Sequence, residues 1–297
     1  MHLRSIKILS PITSLPAEIL SLIFEFVQER YSLEDIKIAI ACSHVCQYWR
    51  NVALHTAPLW TNIDLRHTGC EIFADRSLIL PIRVAIVDNR NDDGPYSGGY
   101  YRHVRPTWLH RHSNRVQIIS LHGPHHTLEN IMSCFGTDLS ALLSLQMTFT
   151  NHARGVFRLN APNLRGHAPN LRSLHLCGVR MDLRECNDLT HLTLEQDIIS
   201  AVELFSLLRR SPLLRELSLA SFALDHWEDV AHHDAVELIH LERLHLEHLR
   251  HKTKELLMAH LHIPTSAPLF SGLKTTPGGT ASITRPPAMY SKSLRIW

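Results

Sequence analysis

Apolar residues in the first 60 positions of the chain recur with the spacing of helices. Ile19, Leu20, Ile23, Phe24 and Val27 fall on one helical stripe. The proline at position 16 precedes them, where a first helical turn tolerates it. The same spacing predicts further helices over residues 33–41 and 44–55, and the proline at position 58 ends the pattern. The N-terminal part is therefore predicted to be helical.

The middle of the chain changes to shorter elements. Residues 63–65 read as a short strand, and residues 82–87 alternate between apolar and polar positions as a half-buried strand does. Residues 88–102 are polar and rich in glycine, which predicts a long surface loop, and residues 107–112 predict a short helix. This region therefore leads from helices into strands.

A repeat of the form L-x-x-L-x-L dominates the rest of the chain. Clear copies start at residues 171, 189, 214 and 241, and weaker ones start at 116 and 142, so that successive copies start 26, 29, 18, 25 and 27 residues apart. Most of these steps match the period of leucine-rich repeats, about 20–29 residues. The step of 18 residues is too short for a strand and a full helix, so that unit is predicted to have only a loop on its outer side.

Each copy is expected to supply a short strand whose leucines enter a core shared with its neighbours, because no single unit can bury them alone. Stacked units would form a parallel sheet with helices or loops on its outer side. Ser200 and Glu203 are spaced as a capping box that opens one outer helix, and residues 234–239 predict another.

The polar residues between the leucines are predicted to line the concave face of the sheet. A mixed, modestly charged face of this kind can bind a protein through shape and charge complementarity. A solvated face without a ligand is the alternative, and the pattern does not separate the two. The candidate target-binding residues are His175, His191, Glu195, Glu216, Arg243, His245 and Glu247.

The composition excludes several classes of protein to which the chain could otherwise belong. The 297 residues carry a net charge of +2 and are 44% hydrophobic, which argues against a basic nucleic-acid binder and against global disorder. No apolar run reaches the roughly 18–20 residues that span a bilayer. Six cysteines are too few for a disulfide framework in a chain of this length. We therefore expect an intracellular protein, cytoplasmic or nuclear, with no membrane or nucleic-acid partner.

Four segments near the N-terminus are characteristic in their order and spacing. They are residues 15–20 (LPAEIL), 23–24 (IF), 45–50 (VCQYWR) and 58–60 (PLW). Together they resemble an F-box. Residues 80–84 (LPIRV) and 168–172 (APNLR) are similar to segments of the F-box-like proteins that are abundant in basidiomycete, mushroom-forming fungi. The interval from Val27 to Val45 is longer than in the commonest F-box form, which leaves the contacts of the second helix open.

The resemblance implies an adaptor. In this family the F-box is a three-helix module that docks on the S-phase kinase-associated adaptor of an SCF-type cullin–RING ubiquitin ligase, and the C-terminal region recruits an unidentified protein substrate. The residues implied for docking are Leu15, Pro16, Glu18, Ile19, Leu20, Ile23, Phe24, Val45, Cys46 and Trp49.

The predicted fold class is α/β, with a three-helix F-box at 12–65, an irregular leucine-rich-repeat solenoid with a short parallel sheet at 78–263, and a disordered or truncated tail at 264–297. The tail has five of the 15 prolines and no acidic residue. Such a segment cannot bury enough apolar surface to offset its ordering entropy.

Other functions fit the sequence less well. The chain has 23 histidines, but they form no HExxH motif and no zinc spacing, and no G-x-S-x-G or phosphate-binding loop is present. We therefore predict no enzyme, no cofactor and no metal. A repeat scaffold that keeps the F-box fold without a ligase role is the alternative function. The adaptor requires Leu15, Pro16 and Ile19 to be exposed, whereas the scaffold requires them to be covered within the chain.

Overall fold

The described part of the chain divides into two compact units, one up to residue 82 and one from residue 83 onward. The structure is a computed structural model, and it describes residues 15–30, 37–67, 69–87, 107–150, 156–159, 168–225, 235–264 and 269–270. The predicted loop at 88–102 lies outside the described residues, and so does most of the predicted tail.

The smaller unit is helical, as the apolar spacing predicts. Its elements are α1 (Ala17–Arg30), α2 (Lys37–His44), α3 (Gln47–His55), a 3-10 turn (Ala57–Trp60), β1 (Asn62–Asp64) and α4 (Cys70–Arg76). The core between them holds Leu20, Phe24, Val52, Trp60 and Phe73. The α4 helix was not predicted, although Cys70, Phe73 and Ala74 are buried along one side of it.

The larger unit alternates short strands with helices or turns. Its elements up to residue 180 are β2 (Ile82–Val87, which begins at the boundary), α5 (Thr107–His112), β3 (Val116–Gly123), α6 (His125–Cys134), β4 (Ser144–Phe149), β5 (Phe157–Arg158), β6 (Ser173–Cys177) and β7 (Val179–Arg180). The remaining ones are β8 (His191–Glu195), β9 (Ile198–Ser200), α7 (Ala201–Arg209), β10 (Glu216–Ala220), β11 (Ala223–Asp225), β12 (Val236–Glu237), β13 (Arg243–Glu247), α8 (His251–His260), β14 (Leu261–His262) and β15 (Leu269–Phe270).

Within this unit the main sheet runs in the order β2-β3-β4-β6-β8-β10-β13-β15, and the pairs from β3 onward are parallel. The predicted parallel sheet is therefore confirmed. Its register aligns the leucines of successive copies, so that Leu174, Leu192, Leu217 and Leu244 form one buried row. Since each leucine packs against its equivalents in the next strands, the sheet is stabilised by contacts that no single copy could make alone.

Four neighbouring strands of the main sheet, β6, β8, β10 and β13, are each followed by a residue with a left-handed backbone conformation. These residues are Gly178 (φ 64°), Gln196 (φ 53°), Ser221 (φ 48°) and His248 (φ 52°). The amide N–H groups of the first three donate to the carbonyls of Glu195, Ala220 and Glu247, at 2.8, 2.9 and 3.0 Å. Only the first of the four positions holds glycine, so the other three residues adopt a backbone conformation that residues with a side chain disfavour. The same turn thus follows strands whose local sequences differ.

The outer side of the sheet differs from the prediction in two places. The helix α7 begins after Ser200 as predicted, but no side-chain hydrogen bond caps it, so the capping box is not formed. Residues 234–239 were predicted as a helix, whereas Val236–Glu237 form β12. The strand β12 pairs in parallel with β14, and Leu238 N donates to His262 O at 3.0 Å, so pairing with a distant segment overrides the local pattern.

Two further details concern a short unit in the middle of the repeat and the C-terminal end of the sheet. Between β6 and β8 the described chain contains β7 and turns but no helix, as the short step of 18 residues predicts. Leu269–Phe270, inside the predicted tail, pair in parallel with β13. No helix in the described part of the chain is long and apolar enough to cross a membrane.

Candidate functional site

The first helix, α1, is apolar on two sides. Leu20, Phe24 and Gln28, spaced four residues apart, face the core of the smaller unit and are buried. The opposite side carries an exposed set, which we call the α1 stripe: Ile19, Leu22, Ile23 and Phe26. Each has between 38% and 59% of its surface accessible. Their spacing of i, i+3, i+4 and i+7 places these four side chains along one face of the helix.

The inner face is fixed by contacts with α3. The ring of Phe24 lies 5.1 Å from that of Trp49, and the hydroxyl of Tyr48 donates to the carbonyl of Leu15 at 2.7 Å. Leu20 and Phe24, predicted to contact a partner, are instead core residues, which corrects that prediction for both. They are buried because α1 must cover α3 with one of its two apolar faces.

The remaining docking candidates surround the start of α1 and the start of α3. Pro16 and Glu18 are exposed and Leu15 is half-buried. Val45 is exposed, and Cys46 caps α3, where its thiol accepts a bond from the amide of Trp49 at 3.5 Å. Trp49 is half-buried, and its ring Nε1 has no hydrogen-bond partner among the described residues.

Two exposed residues of the α1 stripe, Leu22 and Phe26, were missed by the sequence reasoning. The signal was present in the segment LSLIFEF, which has apolar residues on both sides of the helix. A helix that is apolar around most of its circumference has more surface to cover than one neighbour provides. The stripe chosen from spacing alone, 19, 20, 23, 24 and 27, mixes the two faces.

The candidate target-binding residues lie on the strands as predicted, between the buried leucines. In the sheet register His191, Glu216 and Arg243 stand side by side, and so do Glu195, Ala220 and Glu247. His175 and His245 stand in the row between these two, opposite Thr193 and Ser218. The structure therefore brings all seven candidates onto neighbouring strands.

Charges on this face are partly neutralised. Arg243 forms an ion pair with Glu216, and the Nε2 atom of His191 lies 3.7 Å from the same carboxylate. Burial and then the nearby cations of Arg243 and Arg215 lower the pKa of His191, and the charge of Glu242 acts in the opposite direction. At neutral pH this row therefore has a neutral imidazole, that of His191, beside the ion pair of Arg243 and Glu216.

The two other rows have a different character. Burial lowers the pKa of His175, and the Glu195 carboxylate acts in the opposite direction. Burial, with the charge of Glu195, raises the pKa of the Cys177 thiol to about 12, so this cysteine is a neutral thiol. These groups can offer hydrogen bonds to a ligand, but they provide no activated nucleophile.

Comparison with known proteins bears on the smaller unit. Residues 12–66 match the family model described as F-box-like, which confirms the F-box-like domain that the sequence motifs predict. No curated protein matches the chain. Among the described residues no group of three or more His, Cys, Asp or Glu side chains is placed to hold a metal ion.

Proposed function

We propose that this protein is a substrate-recruiting adaptor of an SCF-type cullin–RING ubiquitin ligase. Its F-box-like domain would dock on the S-phase kinase-associated adaptor, which F-box domains generally bind, and through it would reach the cullin. The observation that carries the proposal is the α1 stripe, an exposed apolar face on the domain that matches the F-box-like family.

Exposure of this stripe supports docking over a purely internal role. Pro16 and Ile19 are exposed and Leu15 is half-buried, although a scaffold without a ligase role would cover them within the chain. Contiguous apolar side chains on a soluble domain cost free energy unless a partner buries them. Leu22 and Phe26 extend the patch by one helical turn, and we assign them to the docking surface with Ile19 and Ile23.

The larger unit is proposed to be an irregular leucine-rich-repeat solenoid that binds the protein to be ubiquitinated. The aligned leucine rows and the recurring left-handed turn support this assignment. The proposed contact residues are His175, His191, Glu195, Glu216, Arg243, His245 and Glu247, which share neighbouring strands. The protein would act inside the cell, in the cytoplasm or nucleus, and would have no catalytic activity of its own.

The test is binding of the full-length protein to a purified fungal S-phase kinase-associated adaptor, measured by calorimetry. The variant Ile19→Ala/Leu22→Ala removes two members of the α1 stripe without touching the core. The control Ile239→Ala/Leu213→Ala makes the same chemical changes at two exposed positions of the larger unit. If each stripe residue contributes about 1 kcal/mol, the stripe variant should bind about thirtyfold more weakly than wild type.

The control variant should keep the wild-type Kd within about twofold. Circular dichroism of all three proteins establishes that they are folded to the same extent. Absence of binding by folded wild-type protein would overturn the adaptor role. Equal binding by the two double variants would show instead that the α1 stripe is not the docking surface.

A further inference from the structure

A cavity of about 370 Å³ lies within the smaller unit, beside α2, α3, the 3-10 turn and α4. Its volume is in the range of small-ligand sites, about 300–1,000 Å³. Four basic side chains line it: Arg50, Arg76, His44 and His67. None of the described residues that line it is acidic. The two guanidinium groups make the cavity positively charged although the whole chain is close to neutral.

The guanidinium of Arg76 is held by an aromatic wall. It lies over the ring of Trp60, 4.5 Å from the ring centroid. The ring itself is fixed, because its Nε1–H donates to the carbonyl of Ala53 at 2.8 Å and the ring of Phe73 packs edge-to-face against it, with the ring centroids 4.7 Å apart. Arg76 is thus positioned by stacking, which leaves its N–H donors free to bind a ligand in the plane of the guanidinium.

The second guanidinium has little to bind within the protein. Arg50 donates one bond, at 3.5 Å, to the carbonyl of Ser43. Neither Arg50 nor Arg76 has an ion pair with a carboxylate in the part of the chain that the structure describes, whereas Arg66 pairs with Asp64 at 2.6 Å. Burial, and then repulsion from Arg50, lowers the pKa of Arg76. Two cations therefore share one cavity without a counter-charge.

An anion in the cavity would remove this repulsion. His67 adds a directional group, since its Nδ1 accepts the amide N–H of Gly69 at 3.2 Å, which leaves Nε2 as the protonated nitrogen and a hydrogen-bond donor. A dianion balances both guanidinium charges, but a carboxylate balances only one. Arginine also matches the geometry of phosphate oxygens with paired N–H donors.

We propose that this cavity binds the phosphate group of a phosphate monoester. A nucleic-acid backbone is a poorer match, because it requires a row of basic groups and the chain carries a net charge of only +2. The site does not use the α1 stripe, so the proposed docking function and this site can fail separately.

The probe is phenyl phosphate, titrated into the full-length protein at constant ionic strength and followed by NMR of the arginine Nε–H and tryptophan indole signals. The test variants are Arg50→Gln and Arg76→Gln. The control is Arg83→Gln, which removes an exposed arginine of β2 outside the cavity lining. Because Arg76 also stacks on Trp60, Arg50→Gln serves as the variant that leaves the aromatic wall unchanged.

We expect saturable binding to wild type at millimolar concentrations, weakened about tenfold or more in each test variant and unchanged in the control. Phenyl sulfate, a monoanion of the same shape, should bind at least about fivefold more weakly than phenyl phosphate. No saturable shift with folded wild type would overturn the site. Equal weakening by Arg83→Gln, or equal affinity for phenyl sulfate, would overturn the assignment of the cavity or of a dianion.

Discussion

The leucine register of the sheet makes a quantitative prediction about Leu217. Its side chain is completely buried, and in the register it stands between Leu192 and Leu244 of the neighbouring strands. The change Leu217→Ala removes apolar atoms from the middle of a row of leucines. The cavity that remains can collapse little, because the strands on both sides are held by backbone hydrogen bonds.

The expected loss of stability follows from burial. Leu→Ala changes at fully buried sites cost about 3 kcal/mol, from lost transfer free energy and from the cavity that is left. Leu213 lies four residues earlier and is 49% exposed. The control Leu213→Ala makes the same chemical change there and should cost about 1 kcal/mol or less, because only part of that side chain leaves water on folding.

Urea unfolding of the full chain, followed by circular dichroism, measures the difference. With a slope of about 2–3 kcal/mol per molar urea, Leu217→Ala should lower the unfolding midpoint of the larger unit by about 1 M. The control should shift it by less than half as much. If the two variants were equally stable, or Leu213→Ala the less stable, Leu217 would not lie in the buried leucine row, since a slip of one residue turns its side chain to the opposite face of the sheet.

Two further predictions concern ionisable side chains in the larger unit. Burial raises the pKa of Asp197 despite the bond that its Oδ1 accepts from Ile198 N. The folded protein therefore loses stability as the pH rises from the unfolded pKa of this carboxyl group through its folded pKa. The variant Asp197→Asn has no charge at this position, so it should be more stable than wild type at pH 7 but not at pH 3.5. Urea midpoints at both pH values test this, and an unchanged difference would contradict it. Burial also raises the pKa of the Cys177 and Cys186 thiols, to about 12 and about 11, while Cys46 is exposed. Iodoacetamide at pH 8 should therefore label Cys46 well before the two buried thiols, as peptide mass spectrometry would show, and simultaneous labelling would refute their burial.

The repeat is the part of the fold that the sequence predicts best. The pattern L-x-x-L-x-L states which residues face the core, and the strands form where it occurs, with Leu174, Leu192, Leu217 and Leu244 aligned. Local sequence suffices to predict these strands, because the neighbours of each copy are further copies with the same pattern of leucines. It also predicts the turn-only unit after β6, since 18 residues leave no room for a helix.

Pairing between distant segments lies beyond such a pattern. Residues around Val236 resemble a helix locally, yet they form β12 because β14 offers an edge to pair with. The cavity with Arg50 and Arg76 is of the same kind, since the two arginines are brought together because α3 and α4 both pack against the 3-10 turn. Periodicity describes one element at a time and does not indicate which elements meet.

By itself the sequence determined that the chain has an N-terminal helical domain with F-box motifs and a parallel sheet built on repeated leucines. Only the tertiary structure decided which face of α1 is buried. Because α1 is apolar on both sides, its spacing allows either set to face the core, and the choice follows from the packing of Phe24 against Trp49. That packing leaves Leu22 and Phe26 exposed, and with them the surface on which the proposed function depends.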